Sequence, residues 1–476
     1  MVSENGSEAT AFDGYVEALI EVIGHADRAD PLRDYCTGLM MPVARKSVEP
    51  LAAITAPARV SAKHQSLLHF VGQAPWSDEA LMARVRDWAL PRMIERGGAI
   101  TAWIVDDTGF PKKGKHSVGV ARQYCGQLGK QDNCQVAVSL SIANEGGSLP
   151  VAWQLYLPEI WAHDLERRKK AKIPDDIIFQ TKPQIALEQI HAALATKTPV
   201  GVILADAGYG ADGEFRQGLT ELGLAYAVGV QPTLTVWRPG EGPLPPKAWS
   251  GKGRPPSLMQ RSADHQPLSA KALAESLPAD AWQTITWREG SNVDLASRFA
   301  AARLRPASRD YNLRHPRTEE WLLVEWPEGD KEPLKYWLST LPETMSLREL
   351  VATTKLRWRI ERDYRELKQE LGLGHYEGRG WRGFHHHASL CIAAYGFLLS
   401  ERETIPPSAL ARPKSGEEPP VPRGSRSDKS AHSARATHLK LDRDAAPKAH
   451  RRSRSQNDAM SMLCHGTAQS SHLVTQ

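Results

Sequence analysis

Apolar residues recur at helical spacing from Phe12 to about Arg96, with Tyr15, Leu19, Val22 and Ile23 in one stretch and Leu81, Val85, Trp88 and Ala89 in another. Ser77-Asp78-Glu79, following Pro75 and Trp76, supplies the polar cap and acidic first turn of a helix N-terminus. Strand signals are sparse, so residues 1–98 are expected to form an all-helical N-terminal domain. The texture then changes. Residues 99–105 are a β-rich run that stops abruptly at Asp106-Asp107-Thr108-Gly109, a strand delivering carboxylates to its tip. Strands are predicted over 117–124, 134–142 and 149–155, and a helix over 183–195. That helix leads into the unbroken apolar run 200–205, which suits a buried parallel strand and also ends in an aspartate, Asp206, before Ala207-Gly208-Tyr209-Gly210.

From Leu224 to about Pro342 the helical period fades and Trp, Pro, Thr and Gly dominate, with strands expected over 226–230, 282–287 and 320–326. This stretch reads as a β-rich insertion. An amphipathic helix is predicted from Ser346 through Lys368 to about Leu371, and another over 384–401. Beyond Thr404 the chain is rich in Pro, Ser, Arg and Lys with few large apolar residues, the composition of a disordered tail. The expected partition is therefore 1–98, 99–223, 224–342, 343–403 and 404–476.

Composition narrows the class. At 476 residues, 41% of them hydrophobic and 24% charged, the chain can bury a sizeable core in two or three domains. It has no apolar run long enough for a membrane span, and residues 1–12 lack the basic start and apolar stretch of a secretory signal, so a cytoplasmic protein with no membrane partner is expected. Five cysteines without a CxxC pair argue against a zinc knuckle, a redox motif or a disulfide framework, and suggest reduced, mostly buried thiols. A net charge of +5 is compatible with a polyanionic partner but does not select one.

The chemistry lies at the strand tips. Two aspartate-tipped strands lying side by side on one sheet would bring their carboxylates together, and such a pair attracts Mg²⁺, a hard cation that prefers oxygen ligands. Phosphodiester chemistry uses such ions to activate the attacking oxygen and stabilise the leaving one. Taken singly, each aspartate is equally a turn or helix-cap residue. A third carboxylate is offered by the helix Arg357-Trp358-Arg359-Ile360-Glu361-Arg362-Asp363-Tyr364-Arg365-Glu366-Leu367-Lys368. There Leu356, Ile360, Leu367 and Leu371 form a buried stripe, and Arg357, Glu361 and Lys368 share the adjoining face. A solvated helix laced with ion pairs is the plain alternative.

The arrangement Arg357, Glu361, Lys368 resembles the Arg-(3)-Glu-(6)-Lys part of the signature of bacterial insertion-sequence transposases of the DDE superfamily. Residues 105–114 are similar to that family's first-aspartate segment and 204–210 to its second, in the same order, over about Ala99 to Arg402. The resemblance implies an α/β fold, an RNase H-like mixed sheet core with a β-rich insertion and a helical N-terminal DNA-binding domain. It implies Asp107, Asp206 and Glu361 as catalytic metal ligands, with Mg²⁺ as cofactor and Mn²⁺ substituting, and Arg357 and Lys368 as contacts to the DNA backbone. It also implies cut-and-paste strand transfer at terminal inverted repeats into target DNA, by a homodimer on paired ends. An RNase H-fold nuclease or resolvase, or a non-catalytic DNA-binding descendant, is the alternative. The family's tyrosine before the arginine is replaced by Thr354.

Several positions stay open at this level. Asp106 competes with Asp107 as first ligand, the latter preferred because it precedes Thr108. Glu366 and Glu370 are fallbacks for the third, without the Arg and Lys at matching spacing. Lys112, Lys113 and Lys115, in a loop after the first aspartates, are candidate phosphate contacts. His385-His386-His387 does not suggest a metal site, because consecutive helical side chains diverge. Trp237, Trp287, Trp321, Trp326 and Trp337 are core candidates among which a base-stacking platform is possible.

Overall fold

The computed structural model describes residues 10–288 and 295–404. The expected disordered tail and Cys464 lie outside the described residues. Five helices open the chain: α1 (Ala11–Ile20), α2 (Ala29–Met40), α3 (Val48–Thr55), α4 (Val60–Gly72) and α5 (Asp78–Gly97). Capping fixes their starts, since Thr10 and Asp13 form a reciprocal capping box on α1 and the Ser77 hydroxyl accepts from the Ala80 amide on α5. The apolar stripes read from the sequence face one another, with Tyr15, Leu19, Leu81, Val85 and Ala89 all buried.

These helices share one core with the long helix Trp381–Thr404 and with the sheet. The Tyr15 hydroxyl donates to the Ala393 carbonyl at 2.7 Å. The three consecutive histidines point in three directions and act as stitches. His385 Nε2 accepts from the Leu155 amide at 3.2 Å, and His386 stacks on Trp76 at 3.5 Å between the Val71 and Trp76 carbonyls. His387 accepts from the Tyr35 hydroxyl at 2.9 Å and donates to the Gly372 carbonyl at 3.0 Å, the pattern of a neutral ring.

Burial pushes the His387 imidazole down to about 4 from 6.5, with the Gly372 carbonyl pulling the other way. A ring kept neutral in the folded state and titrating normally in the unfolded chain contributes stability above pH 6.5, which is lost as pH falls towards 4. His387→Gln is therefore expected to show a shallower acid loss of stability than the parent, by on the order of 1–3 kcal/mol between pH 7 and 4. Urea unfolding at several pH values measures it, and parallel curves for the two proteins would refute it.

The main sheet has ten strands. The first five are β1 (Ala102–Pro111), β2 (Ala121–Cys125), β3 (Lys130–Ala143), β4 (Ser148–Leu155) and β5 (Val202–Ala205). They are followed by β6 (Tyr226–Val230), a small ribbon of β7 (Thr235–Val236) with β8 (Leu268–Ser269), and then β9 (Gln283–Arg288), β10 (Leu295–Leu304), β11 (Glu320–Glu325) and β12 (Lys335–Ser339). The order is β2-β3-β1-β5-β6-β12-β11-β10-β9, with β4 also pairing β3. Strands β1, β5 and β6 run parallel, which requires crossovers: the helix Lys182–Ala195 before β5 and the helix Gly213–Glu221 between β5 and β6. This is the RNase H-like mixed sheet that the resemblance implied. The strand bearing Asp106-Asp107 and the strand leading into Asp206 are neighbours, but β1 does not stop at its aspartates as expected: it stays paired with β3 as far as Pro111, which leaves them mid-strand, level with the end of β5. Strands β6 and β9 to β12 of the 224–342 segment continue the same sheet, because β12 bonds to β6.

The helix expected over 346–371 is two helices, Leu347–Lys355 and Trp358–Gln369. At the junction the Thr354 hydroxyl donates to the Leu350 carbonyl at 2.7 Å, a back-bond that bends helices. Tighter i to i−3 bonds follow, from Leu356 to Thr353, Arg359 to Leu356 and Ile360 to Arg357.

Candidate active site

The register of β1 and β5, Ala102 with Val202 through Ile104 with Leu204, continues to bring Asp106 level with Asp206. Asp106 also stands opposite Ser139 on β3, and the Ser139 hydroxyl meets the Tyr364 hydroxyl at 2.7 Å. Tyr364 lies on the helix that carries Glu361, so Asp106 occupies the sheet face covered by that helix. Alternation along the strand turns Asp107 to the other face. There it meets the crossover helix: Lys182 Nζ is 2.7 Å from its Oδ2, and the Tyr209 hydroxyl donates to the same oxygen at 3.3 Å.

Asp206 follows β5 directly and caps the short helix Ala207–Gly210, its Oδ1 accepting from the Gly208 amide at 2.8 Å. The plain reading of this aspartate as a cap is correct, yet one carboxylate oxygen remains directed at the cleft. That turn packs tightly: a Cβ on Gly210 would sit 2.0 Å from the Gly229 carbonyl oxygen on β6. Glu361 projects from the first turn of its helix with a 68% exposed side chain.

Arg357 joins these carboxylates. Its Nη2 is 3.4 Å from Asp106 Oδ1 and 3.5 Å from Asp206 Oδ2, and its Nη1 is 3.9 Å from Glu361 Oε1. Burial opposes the guanidinium charge, but Asp106, Asp206 and Glu361 together hold it firmly protonated. For Asp106, burial pushes the carboxyl up to about 7 against the pull of Arg357, with Asp206 and Asp107 adding to the rise. Asp106, Asp107, Asp206, Arg357, Glu361 and Lys368 line one open cleft of about 760 Å³.

Lys368 lies deeper. Its ammonium donates to the Gly109 carbonyl at 2.8 Å, and burial draws it down to about 8. Lys112 does not line the cleft and donates to the Tyr376 carbonyl at 3.0 Å, whereas Lys113 and Lys115 are exposed. Glu366 is engaged by Arg362 and Arg402, Glu370 ends the helix, and neither lines the cleft that Glu361 lines. Of the tryptophans, Trp237 is fully buried and donates to Asp310 at 2.6 Å, and the Trp321 and Trp326 ring nitrogens donate to the Pro342 and Asp330 carbonyls. Trp287 and Trp337 instead line a groove of about 530 Å³ that also contains Asp206, Arg357 and Glu361. Sequence reasoning missed Lys182 and Tyr209. The capping box at Thr181 marks a helix start at Lys182, but only the tertiary fold brings that start to Asp107 in the middle of β1.

Among the described residues, no three His, Cys, Asp or Glu side chains already stand around one point as ready metal ligands. The chemistry of the donor set nevertheless suits a hard divalent cation: three carboxylates, one from the middle of β1, one just past β5 and one from a helix, each lie within 3.9 Å of the Arg357 guanidinium. Among the described residues no helix is long and apolar enough to cross a membrane.

Comparison with known proteins accords with this geometry. A probable transposase for insertion sequence element IS701 from Microchaete diplosiphon is 34% identical over 168 residues, which are 35% of this chain and 40% of that protein. The matched region thus spans well under half of the relative's length. The family model of DDE superfamily endonucleases matches residues 18–293, more than half of the chain, including β1 with Asp106 and Asp107 and β5 with the Asp206 that follows it. On the strength of that match, and of a mixed sheet whose neighbouring parallel strands carry Asp106 and lead into Asp206, the chain belongs to the DDE superfamily endonuclease family.

Proposed function

We propose that the protein is a DNA transposase that cuts and joins phosphodiesters at the terminal inverted repeats of an insertion sequence. The observation that carries this reading is the meeting of Asp106, Asp206 and Glu361, from three separate elements, around one guanidinium in an open cleft. In this proposal these three residues hold Mg²⁺ or Mn²⁺, and Asp106 replaces Asp107 because it shares a face with Asp206 and with the Glu361 helix. A divalent ion bound there supplies activation of the attacking oxygen and stabilisation of the leaving one.

The remaining roles belong to side chains around the cleft. Asp107 orients Lys182, which presents an ammonium to the incoming backbone. Lys368 and the exposed Lys113 and Lys115 add positive charge along the path of the DNA. Tyr364, tied to Ser139, fixes the helix that positions Glu361. The helical N-terminal region is the proposed reader of the end sequence, and two protomers are proposed to act on two paired ends in the cytoplasm.

Incubating the purified protein with a supercoiled plasmid carrying the element's ends tests this. Nicks at the ends with Mg²⁺ or Mn²⁺, none with EDTA, and joining of precut ends to a target plasmid are expected. Cutting without joining would reassign the protein as a nuclease or resolvase. End binding without metal-dependent cutting would make it a non-catalytic DNA-binding protein.

A further inference from the structure

We infer that Arg357 is the resident counter-ion of the carboxylate cluster, and that it gives way when a divalent cation binds, so that metal loading turns its guanidinium outward to a DNA phosphate. The inference rests on the reading of Asp106, Asp206 and Glu361 as the metal-holding set.

Three observations support it. First, the guanidinium lies between all three carboxylates without closing a short pair with any of them, at 3.4, 3.5 and 3.9 Å. Charge-assisted pairs settle at about 2.7–2.9 Å. Elsewhere in this protein an arginine meant to stay in place does so: Arg261 holds Asp310 through Nη2 at 2.6 Å and Nε at 3.0 Å. Second, the buried Nε of Arg357 donates to no acceptor among the described residues, so its donor fork is only partly used. Third, Arg357 stands at the junction of two helices and lines both the 760 Å³ cleft and the 530 Å³ groove, which gives its side chain two spaces to enter.

Displacement follows from the charges. An arginine does not lose its proton in a protein, so it cannot make room by becoming neutral. A guanidinium and a divalent ion sharing the same three carboxylates would repel each other strongly in a partly buried site. One of them must move, and the guanidinium is the one on a flexible stem. Linkage then requires DNA to tighten metal binding as much as metal tightens DNA binding.

Titration of the DNA-free protein with Mn²⁺ by calorimetry tests the inference, with thermal unfolding in EDTA and in Mn²⁺ as a second reading. Arg357→Gln is expected to bind Mn²⁺ about tenfold or more tightly than the parent. It is also expected to melt lower in EDTA and to gain more from Mn²⁺. Should that variant fail to fold, Arg357→Lys carries the same test, because its smaller donor set releases the carboxylates more readily and tightens Mn²⁺ by a smaller factor. Unchanged or weaker Mn²⁺ affinity in the folded variant overturns the inference. Asp206→Asn separates the two readings. If it leaves Mn²⁺ affinity intact, the metal-site reading itself fails; if it lowers that affinity while Arg357→Gln brings no tightening, only the displacement of Arg357 fails.

Discussion

Asp106→Asn is expected to slow metal-dependent cleavage at the element's ends by on the order of a thousandfold or more, as are Asp206→Asn and Glu361→Gln, whereas Asp107→Asn stays within about tenfold of the parent. The contrast comes from the alternation of β1. Asp106 looks towards Asp206 and the Glu361 helix, while Asp107 looks towards Lys182 and Tyr209. Removing a metal-holding carboxylate takes away several kcal/mol of transition-state stabilisation. Removing the charge at Asp107 loosens Lys182, whose proposed part is only to meet the DNA backbone. Nicking rates on a single supercoiled donor compare the four variants directly. If Asp107→Asn were the dead protein and Asp106→Asn the active one, the proposed face of the site would be reversed.

The largest loss of stability is expected at Glu325→Gln, about 3–5 kcal/mol. Lys355 Nζ lies 2.8 Å from both Glu325 oxygens, and the carboxylate is almost completely enclosed. The same ammonium stands 4.1 Å from the Trp287 ring centre, with Phe299 and Trp337 beyond it. Burial already draws Lys355 below its ordinary value, with Glu325 pulling it back. Neutralising the partner leaves a desolvated charge, whereas replacing both residues with apolar side chains of similar volume costs far less. Urea denaturation of Glu325→Gln and of the Glu325→Leu, Lys355→Met double variant separates the two cases, and equal losses would contradict the account. The pair also fastens β11 to the helix that ends beside Arg357, so the single variant should weaken cleavage as well.

Much of the core was legible because local patterns carried it. An apolar run that halts at an acidic residue marked the end of β5, but β1 runs on through Asp106 and Asp107 to Pro111, because it stays paired with β3 over its whole length. Strand β6 fell within the residues expected, and the crossover helix began one residue earlier, at its capping box. The proposal of Asp106 rather than Asp107 rests on the face on which the Glu361 helix packs, a property of distant segments that no local pattern carries. The strand expected over 117–124 begins only at Ala121, because Gly119 takes a positive φ of 71° and the Val118 amide is drawn to the Arg379 carbonyl. Lys112 read as a surface cation, but Tyr376 lies 264 positions away along the chain and nothing local announces it. Thr354, noted only as a departure from the family signature, turned out to bend the helix at the point where Arg357 must reach the carboxylates.

The bonding of β12 to β6 makes the middle of this chain indispensable to its beginning. A product stopped near residue 293, where the family match ends, would retain Asp106 and Asp206 yet lack β12, exposing the hydrogen-bonding edge of β6 beside Asp206. An uncovered apolar edge of that kind recruits other strands. Prematurely terminated copies should therefore accumulate as insoluble aggregates, and would be poor candidates for soluble competitors of the intact protein.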